Sequence, residues 1–224
     1  MEYIKRNLDT TLERIKELAG EHEVTLVCVT KSGTDEELVE LCQAGATDIG
    51  ENRPQELVRR GKIIKDRGYS PRLHEIGHLQ KNKVRHIIED VALIHSLDNI
   101  ELAMEIDKRA KAANRVVPVL IEVNSGKEEN KSGVMPEDAE EFFLEVRKLE
   151  NISVVGLMTM GPVCENTEEI RPYFRLTKEL FDKLGEKYGY EGTPTLSMGM
   201  SDSFEVAIEE GANLVRIGRR LFTR

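Results

Sequence analysis

Ile4, Leu8, Leu12, Ile15 and Leu18 recur three or four residues apart among charged neighbours, and the pattern stops before Gly20. That spacing lines the apolar side chains along one stripe, so the chain is predicted to open with an amphipathic helix over about 2–19. The period then changes. Residues 24–30, Val-Thr-Leu-Val-Cys-Val-Thr, are almost all apolar or β-branched, as in a strand buried on both faces. Thr34 and Glu37 next form a capping box, which opens a helix ending near Gly45.

The same alternation recurs to the end of the chain. Strands are expected at 47–50, 72–77, 92–97, 116–123, 153–158, 195–198 and 213–217. Helices are expected after them: one with Pro54 in its first turn, then 80–89, 99–114, 137–149, 168–188 and 202–210, and a short last stretch. Eight short strands alternating with helices, at roughly 25 residues per unit, predict an α/β chain folded as a single-domain (β/α)8 TIM-type barrel. The barrel would occupy about 24–224, with the N-terminal helix as an extra element. An open doubly wound sheet is the alternative.

Composition narrows the function. Of 224 residues 33% are charged and 39% hydrophobic, which is ordinary for a globular domain. The net charge of −9, with basic residues scattered among acids, provides no positive field for a polyanion, so nucleic acid is not an expected partner. Cys28, Cys42 and Cys164 are odd in number and lack C-x-x-C spacing, which argues against a disulfide framework or a zinc site. No apolar run approaches the roughly 18 residues of a membrane span, and the opening helix does not read as an export signal. A cytoplasmic location and no membrane association are the resulting expectations; the oligomeric state is not readable from the sequence, and a monomer is compatible with it.

In this barrel the chemistry sits at the C-terminal ends of the strands, with phosphate commonly held after strands seven and eight. The residues at those ends are Lys31, Glu51 with Asn52, His78, Ser96, Asn124, Thr159 with Met160, the segment 198–201 and Gly218 with Arg219, and Arg216 lies just inside. Lys31 follows an apolar strand, where partial desolvation would favour a neutral amine able to condense with a carbonyl; position alone favours a solvated lysine, and the phosphate loops after strands seven and eight shift that balance. Around Gly199 and Met200, Ser201 is placed to cap a helix starting at Asp202, an arrangement that suits a dianion but is also an ordinary helix cap. Arg216 adds a permanent charge, and Gly218 frees another backbone donor. His74 and His78 do not share a direction on a strand and its loop, so His74 is expected as a hydrogen-bonded core histidine.

Eight segments together carry a resemblance: Val-Thr-Lys at 29–31, Gly-Glu-Asn at 50–52, Ile-Gly-His-Leu-Gln-Lys-Asn-Lys at 76–83, Ile-His-Ser at 94–96, Lys-Ser-Gly at 131–133, Gly-Leu-Met-Thr at 156–159, Ser-Met-Gly-Met-Ser at 197–201 and Arg-Ile-Gly at 216–218. Across essentially its whole length the chain resembles the pyridoxal phosphate homeostasis proteins, which share a barrel with the N-terminal domain of alanine racemase. The resemblance implies pyridoxal 5'-phosphate held as an internal aldimine on Lys31. It also implies Asn52 beside the cofactor, the 199–201 segment and the Gly218–Arg219 backbone on the phosphate, and Arg216 facing the pyridine nitrogen. A cation there disfavours a protonated ring and so limits carbanion chemistry. The chain departs from the family pattern where Leu73 and Glu75 replace Trp and Phe around His74, in Asn-Ser-Gly at 124–126, and in Arg-Arg-Leu-Phe at 219–222, where Arg219 would add charge to the phosphate site.

Two functions fit these residues. In the first, the protein stores, buffers or delivers the cofactor without significant turnover, possible recipients being apo-enzymes that need it. In the second it is an amino-acid racemase or a related enzyme; the barrel and leading helix use up the chain, and no tyrosine falls at a strand end to act as the second acid/base group. A phosphosugar-handling barrel with an incidental Lys31 is a third reading.

Overall fold

The computed structural model describes residues 2–164 and 166–224. Helix α1 is Glu2–Ala19, and the strands are β1 Thr25–Val29, β2 Asp48–Glu51, β3 Arg72–Glu75, β4 Val91–Leu97, β5 Val117–Glu122, β6 Ile152–Met158, β7 Thr195–Ser197 and β8 Leu214–Ile217. Between and after them lie α2 Asp35–Gln43, α3 Pro54–Asp66, α4 Val84–Ile87, α5 Ile100–Ala112, α6 Ala139–Val146, α7 Arg171–Tyr188, α8 Phe204–Glu209 and α9 Arg219–Phe222. All strands run parallel in sequence order, and β1 closes the barrel on β8 through pairs such as Val27 with Arg216 and Cys28 with Ile217. The chain is therefore the expected (β/α)8 barrel with an added helix, and not an open sheet.

Local sequence explains most boundaries. The capping box is fully formed: Thr34 Oγ1 accepts the Glu37 N–H at 3.2 Å, and Glu37 Oε2 accepts the Thr34 N–H at 2.7 Å. Pro54 begins α3 at the first turn, where its missing N–H costs no helix bond. The expected 80–89 helix is shorter than its apolar spacing suggests, a 3-10 turn over Lys81–Lys83 followed by the single turn of α4. The helix expected over 137–149 is confined to Ala139–Val146.

The barrel separates two apolar regions. Outward-facing residues such as Val119 and Ile121 pack under the helices, while Val27, Leu93, Leu120, Val155, Met158 and Leu214 form a separate interior cluster. Ile4, Leu8 and Ile15 of α1 share a core with Phe204 and Leu221, so the leading helix covers α8 and α9. Polar bonds reinforce this: Arg14 pairs with Glu205 at 2.9 Å, and Asn7 Nδ2 donates to the Thr223 carbonyl at 2.7 Å. Among the described residues no helix is long and apolar enough to cross a membrane.

Candidate functional site

Lys31 stands two residues beyond β1 and is exposed. The expectation of a desolvated amine is thus corrected. The Arg60 guanidinium reaches up from α3 to the Thr30 carbonyl and, at 2.8 Å, to the Gly33 carbonyl; this ties the backbone on both sides of Lys31 to the helix layer and leaves its side chain on the rim. Arg60 also lies 3.1 Å from Glu51, which accepts the Thr30 hydroxyl. Lys31 and Asn52, with Ser32, Glu51 and Arg60, line a cavity of about 350 Å³ at the C-terminal mouth.

The loops after β7 and β8 meet next to this rim. Gly199 has φ of 86°, and a Cβ there would lie 2.6 Å from the Ala207 Cβ, so both backbone and space require glycine. Ser201 does not cap a helix from Asp202, as its position in sequence suggests. Residues 201–203 form a turn, α8 starts at Phe204, and Ser203 Oγ accepts the Met200 N–H at 3.2 Å. Ser201 Oγ instead accepts the Gly218 N–H at 3.3 Å, which joins the two loops and leaves its own proton to donate. Gly218 rests against β1, where a Cβ would meet the Val29 carbonyl at 2.9 Å, and the Arg216 N–H donates to the Gly199 carbonyl at 3.1 Å. The Met200 side chain is exposed. Arg219 pairs with Asp202, both exposed. Its charge therefore offsets the carboxylate beside Ser201.

Arg216 is 4% exposed. Nη1 donates to the Ser197 carbonyl at 3.0 Å and to the Ser197 hydroxyl, and Nη2 donates to the Thr159 carbonyl at 3.0 Å. All three acceptors are neutral, so this contact set leaves the cation uncompensated. Burial lowers its pKa to about 10, opposed by the Glu122 charge, and it remains protonated at neutral pH. Glu122 lies two residues after Leu120 of the interior cluster and so faces inward at the end of β5. Its carboxyl makes no hydrogen bond among the described residues; burial, then the Asp98 charge, raise its pKa to about 7, while Arg216 pulls the other way. Sequence reading missed Glu122, and gave His95 and Ser197 no role of their own beyond the motif segments that contain them. The signal that finds them is the alternation of inward positions toward each strand's C-terminal end.

Several strand-end residues are structural. The Asn124 side chain holds its own loop, donating to the Glu128 carbonyl at 2.9 Å and accepting the Glu128 N–H at 3.1 Å. Thr159 Oγ1 lies 2.9 Å from both the Val123 carbonyl and Ser125 Oγ, joining the ends of β5 and β6. Ser96 donates to the Gly77 carbonyl, and exposed His78 lies 3.4 Å from Ser132 Oγ. His74 is the expected core histidine, 2.8 Å from Asp48 and 3.0 Å from His95.

Comparison with known proteins places this geometry in context. The model of the alanine racemase N-terminal domain matches residues 5–223. A pyridoxal phosphate homeostasis protein of Aquifex aeolicus is 47% identical over 220 residues, covering 96% of this chain and 95% of the relative. The structure of PipY from Synechococcus elongatus PCC7942 with PLP bound superposes with a TM-score of 0.87 at 27% identity, covering 98% of this chain and 100% of PipY. Alanine racemase of Clostridium difficile 630 superposes with a TM-score of 0.78 at 20% identity, and the match spans 98% of this chain but 60% of the racemase, a likeness of fold.

Proposed function

This chain belongs to the alanine racemase N-terminal domain family and, within it, to the pyridoxal phosphate homeostasis proteins, and from that membership we propose that it binds pyridoxal 5'-phosphate at the C-terminal mouth of its barrel and serves the homeostasis of that cofactor. The observation that carries this reading is a donor set on one mouth: an exposed lysine amine, a serine hydroxyl with a proton to give, two glycine-shaped loops and a buried arginine. A phosphorylated aromatic aldehyde has a matching group for each.

Each residue has a defined task. Lys31 would hold the cofactor through its amine, and the cofactor would supply the electrophilic aldehyde with which that amine condenses with loss of water. Ser201 donates its hydroxyl to the phosphate, together with the backbone N–H groups of Gly199 and Arg219, and those of Met200 and Gly218 join them by exchanging the Ser203 and Ser201 oxygens they now meet for the phosphate. Asn52 lies beside the ring. Arg216 faces the ring nitrogen and, as a buried cation, opposes its protonation. With that electron sink weakened, the protein acts as a carrier in the cytoplasm, as a monomer that keeps a reactive aldehyde bound and releases it to apo-enzymes.

Borohydride reduction after incubation with pyridoxal phosphate, followed by peptide mass mapping, tests the site. The stable adduct should map to the peptide containing Lys31, and inorganic phosphate should compete with its formation. Labelling spread over surface lysines would sink the assignment. An amino-acid racemisation assay on the unreduced protein loaded with pyridoxal phosphate separates carrier from catalyst.

A further inference from the structure

A line of polar side chains runs through the barrel beside its apolar filling. Asp48 Oδ1 lies 2.8 Å from His74 Nε2, His74 Nδ1 lies 3.0 Å from His95 Nε2, and His95 Nδ1 lies 3.1 Å from Ser197 Oγ, which accepts a hydrogen bond from Arg216 Nη1. All five residues are at least 96% buried. At the far end Asp48 meets Arg72 at 2.8 Å, and the Arg72 side chain opens onto the opposite mouth at 62% exposure.

The chemistry of the two ends sets the direction of this line. Burial pushes the Asp48 carboxyl up, but hydrogen bonds from His74, Arg72 and Thr47 outweigh it and hold its pKa at about 2, so Asp48 only accepts. His74 therefore carries its proton on Nε2. Arg216, at the other end, only donates. With one proton on each imidazole, His95 Nε2–H donates to His74 Nδ1, the Ser197 hydroxyl donates to His95 Nδ1, and Ser197 Oγ accepts from Arg216. Each link then has one donor and one acceptor. A second proton on His74 would reverse the links beyond it, and Ser197 would receive two donors while its own hydrogen had no acceptor among the described residues. Burial first, with the Arg216 charge acting in the same sense, holds the His95 pKa well below the usual histidine range, in keeping with a one-proton ring.

We propose that His95 and Ser197 are positioning residues for Arg216, and that the direction of their hydrogen bonds, set by Asp48 at the other end of the barrel, fixes the guanidinium against the ring of the bound ligand. This rests on the reading that Arg216 faces that ring. Hydrogen bonds in series polarise one another in a low-dielectric interior, so a change at Asp48 reaches Arg216 without any contact between the two. The other charged groups on the line are Arg72 on Asp48, and Glu122, which faces Arg216 with Asp98 behind it.

The test has two parts. In the ligand-free protein, 15N spectra of the labelled imidazoles should show His95 protonated on Nε2 and bare on Nδ1; the opposite tautomer would overturn the proposal. With pyridoxal phosphate bound, Asp48→Asn and Ser197→Ala should each shift the pH midpoint of the cofactor's absorbance by roughly half a unit or more. The double variant should shift it no further than the larger single effect, since both changes cut one line. A purely structural role lowers stability in each variant and leaves the midpoint in place. Unshifted or additive midpoints overturn the proposal alone, whereas failure of the parent protein to bind pyridoxal phosphate overturns the reading beneath it.

Discussion

Glu51 on β2 and Glu75 on β3 are partners in register, and both are shut away from water, at 2% and 0% exposure. Glu51 has the Arg60 guanidinium at 3.1 Å. Glu75 accepts only the Gly77 N–H, at 3.2 Å, and its Oε2 has no partner among the described residues.

Burial, helped by the Glu51 charge and opposed by the Gly77 N–H, raises the Glu75 pKa to about 8. An acid whose folded pKa is raised keeps its proton while the unfolded chain loses it. Stability should therefore fall from roughly pH 5 to pH 8, by an amount on the order of 4 kcal/mol from this group. Glu75→Gln should flatten that decline in denaturant melts across the same range; an unchanged slope would show that Glu75 ionises normally.

Glu122 gives a pH effect of a different kind. With a pKa of about 7, its carboxyl gains charge beside Arg216 as pH rises through neutrality, weakening the pull of that cation on an anionic ligand. Affinity for pyridoxal phosphate, measured by fluorescence titration, should fall several-fold relative to Glu122→Gln between roughly pH 6 and pH 8. A constant ratio between the two proteins would count against this role.

Arg219 and Asp202 form an exposed pair, so Arg219→Thr should change stability by less than about 1 kcal/mol. Its effect on phosphate should be larger, because the freed Asp202 carboxylate lies next to Ser201. Competition by inorganic phosphate should weaken by a few-fold at low salt and converge with the parent at high salt. Adding Asp202→Asn should restore it; no restoration would mean that the pair does not act on the phosphate site.

Gly199→Ala places a Cβ 2.6 Å from Ala207 on a backbone with φ of 86°. The cost should be about 1–3 kcal/mol in thermal or denaturant unfolding, with loss of the Lys31 adduct yield. A neutral substitution would show that this loop can take another course.

The barrel was legible because eight apolar runs are separated by helix-length intervals, and because Thr34, Glu37 and Pro54 carry their own local signals. The loops after strands seven and eight were legible as glycine-shaped turns, since a Cβ at Gly199 or Gly218 would meet its neighbours too closely. Two things were hidden. Ser201 reads as a helix cap, but the turn at 201–203 delays α8 and turns its hydroxyl toward Gly218. The interior acid Glu122 and the His95 line depend on strand phase: each follows an inward-facing leucine, Leu120 or Leu93, by two residues, but runs that are almost wholly apolar present no polar side by which that phase is read. A one-residue slip in the reading moves a side chain from one face to the other.

The contact between Gly218 and the Val29 carbonyl joins the eighth strand's loop to the end of the first. The amine of Lys31 is thus made early in translation, while the cradle that would hold a phosphate waits for residues 199–219. A nascent chain still lacking β8 has an open barrel and a lysine with no anion site beside it. On the proposed reading, capture of a phosphorylated ligand would therefore be coupled to closure of the ring, and a ribosome-bound fragment would expose its amine without the selectivity of the finished protein.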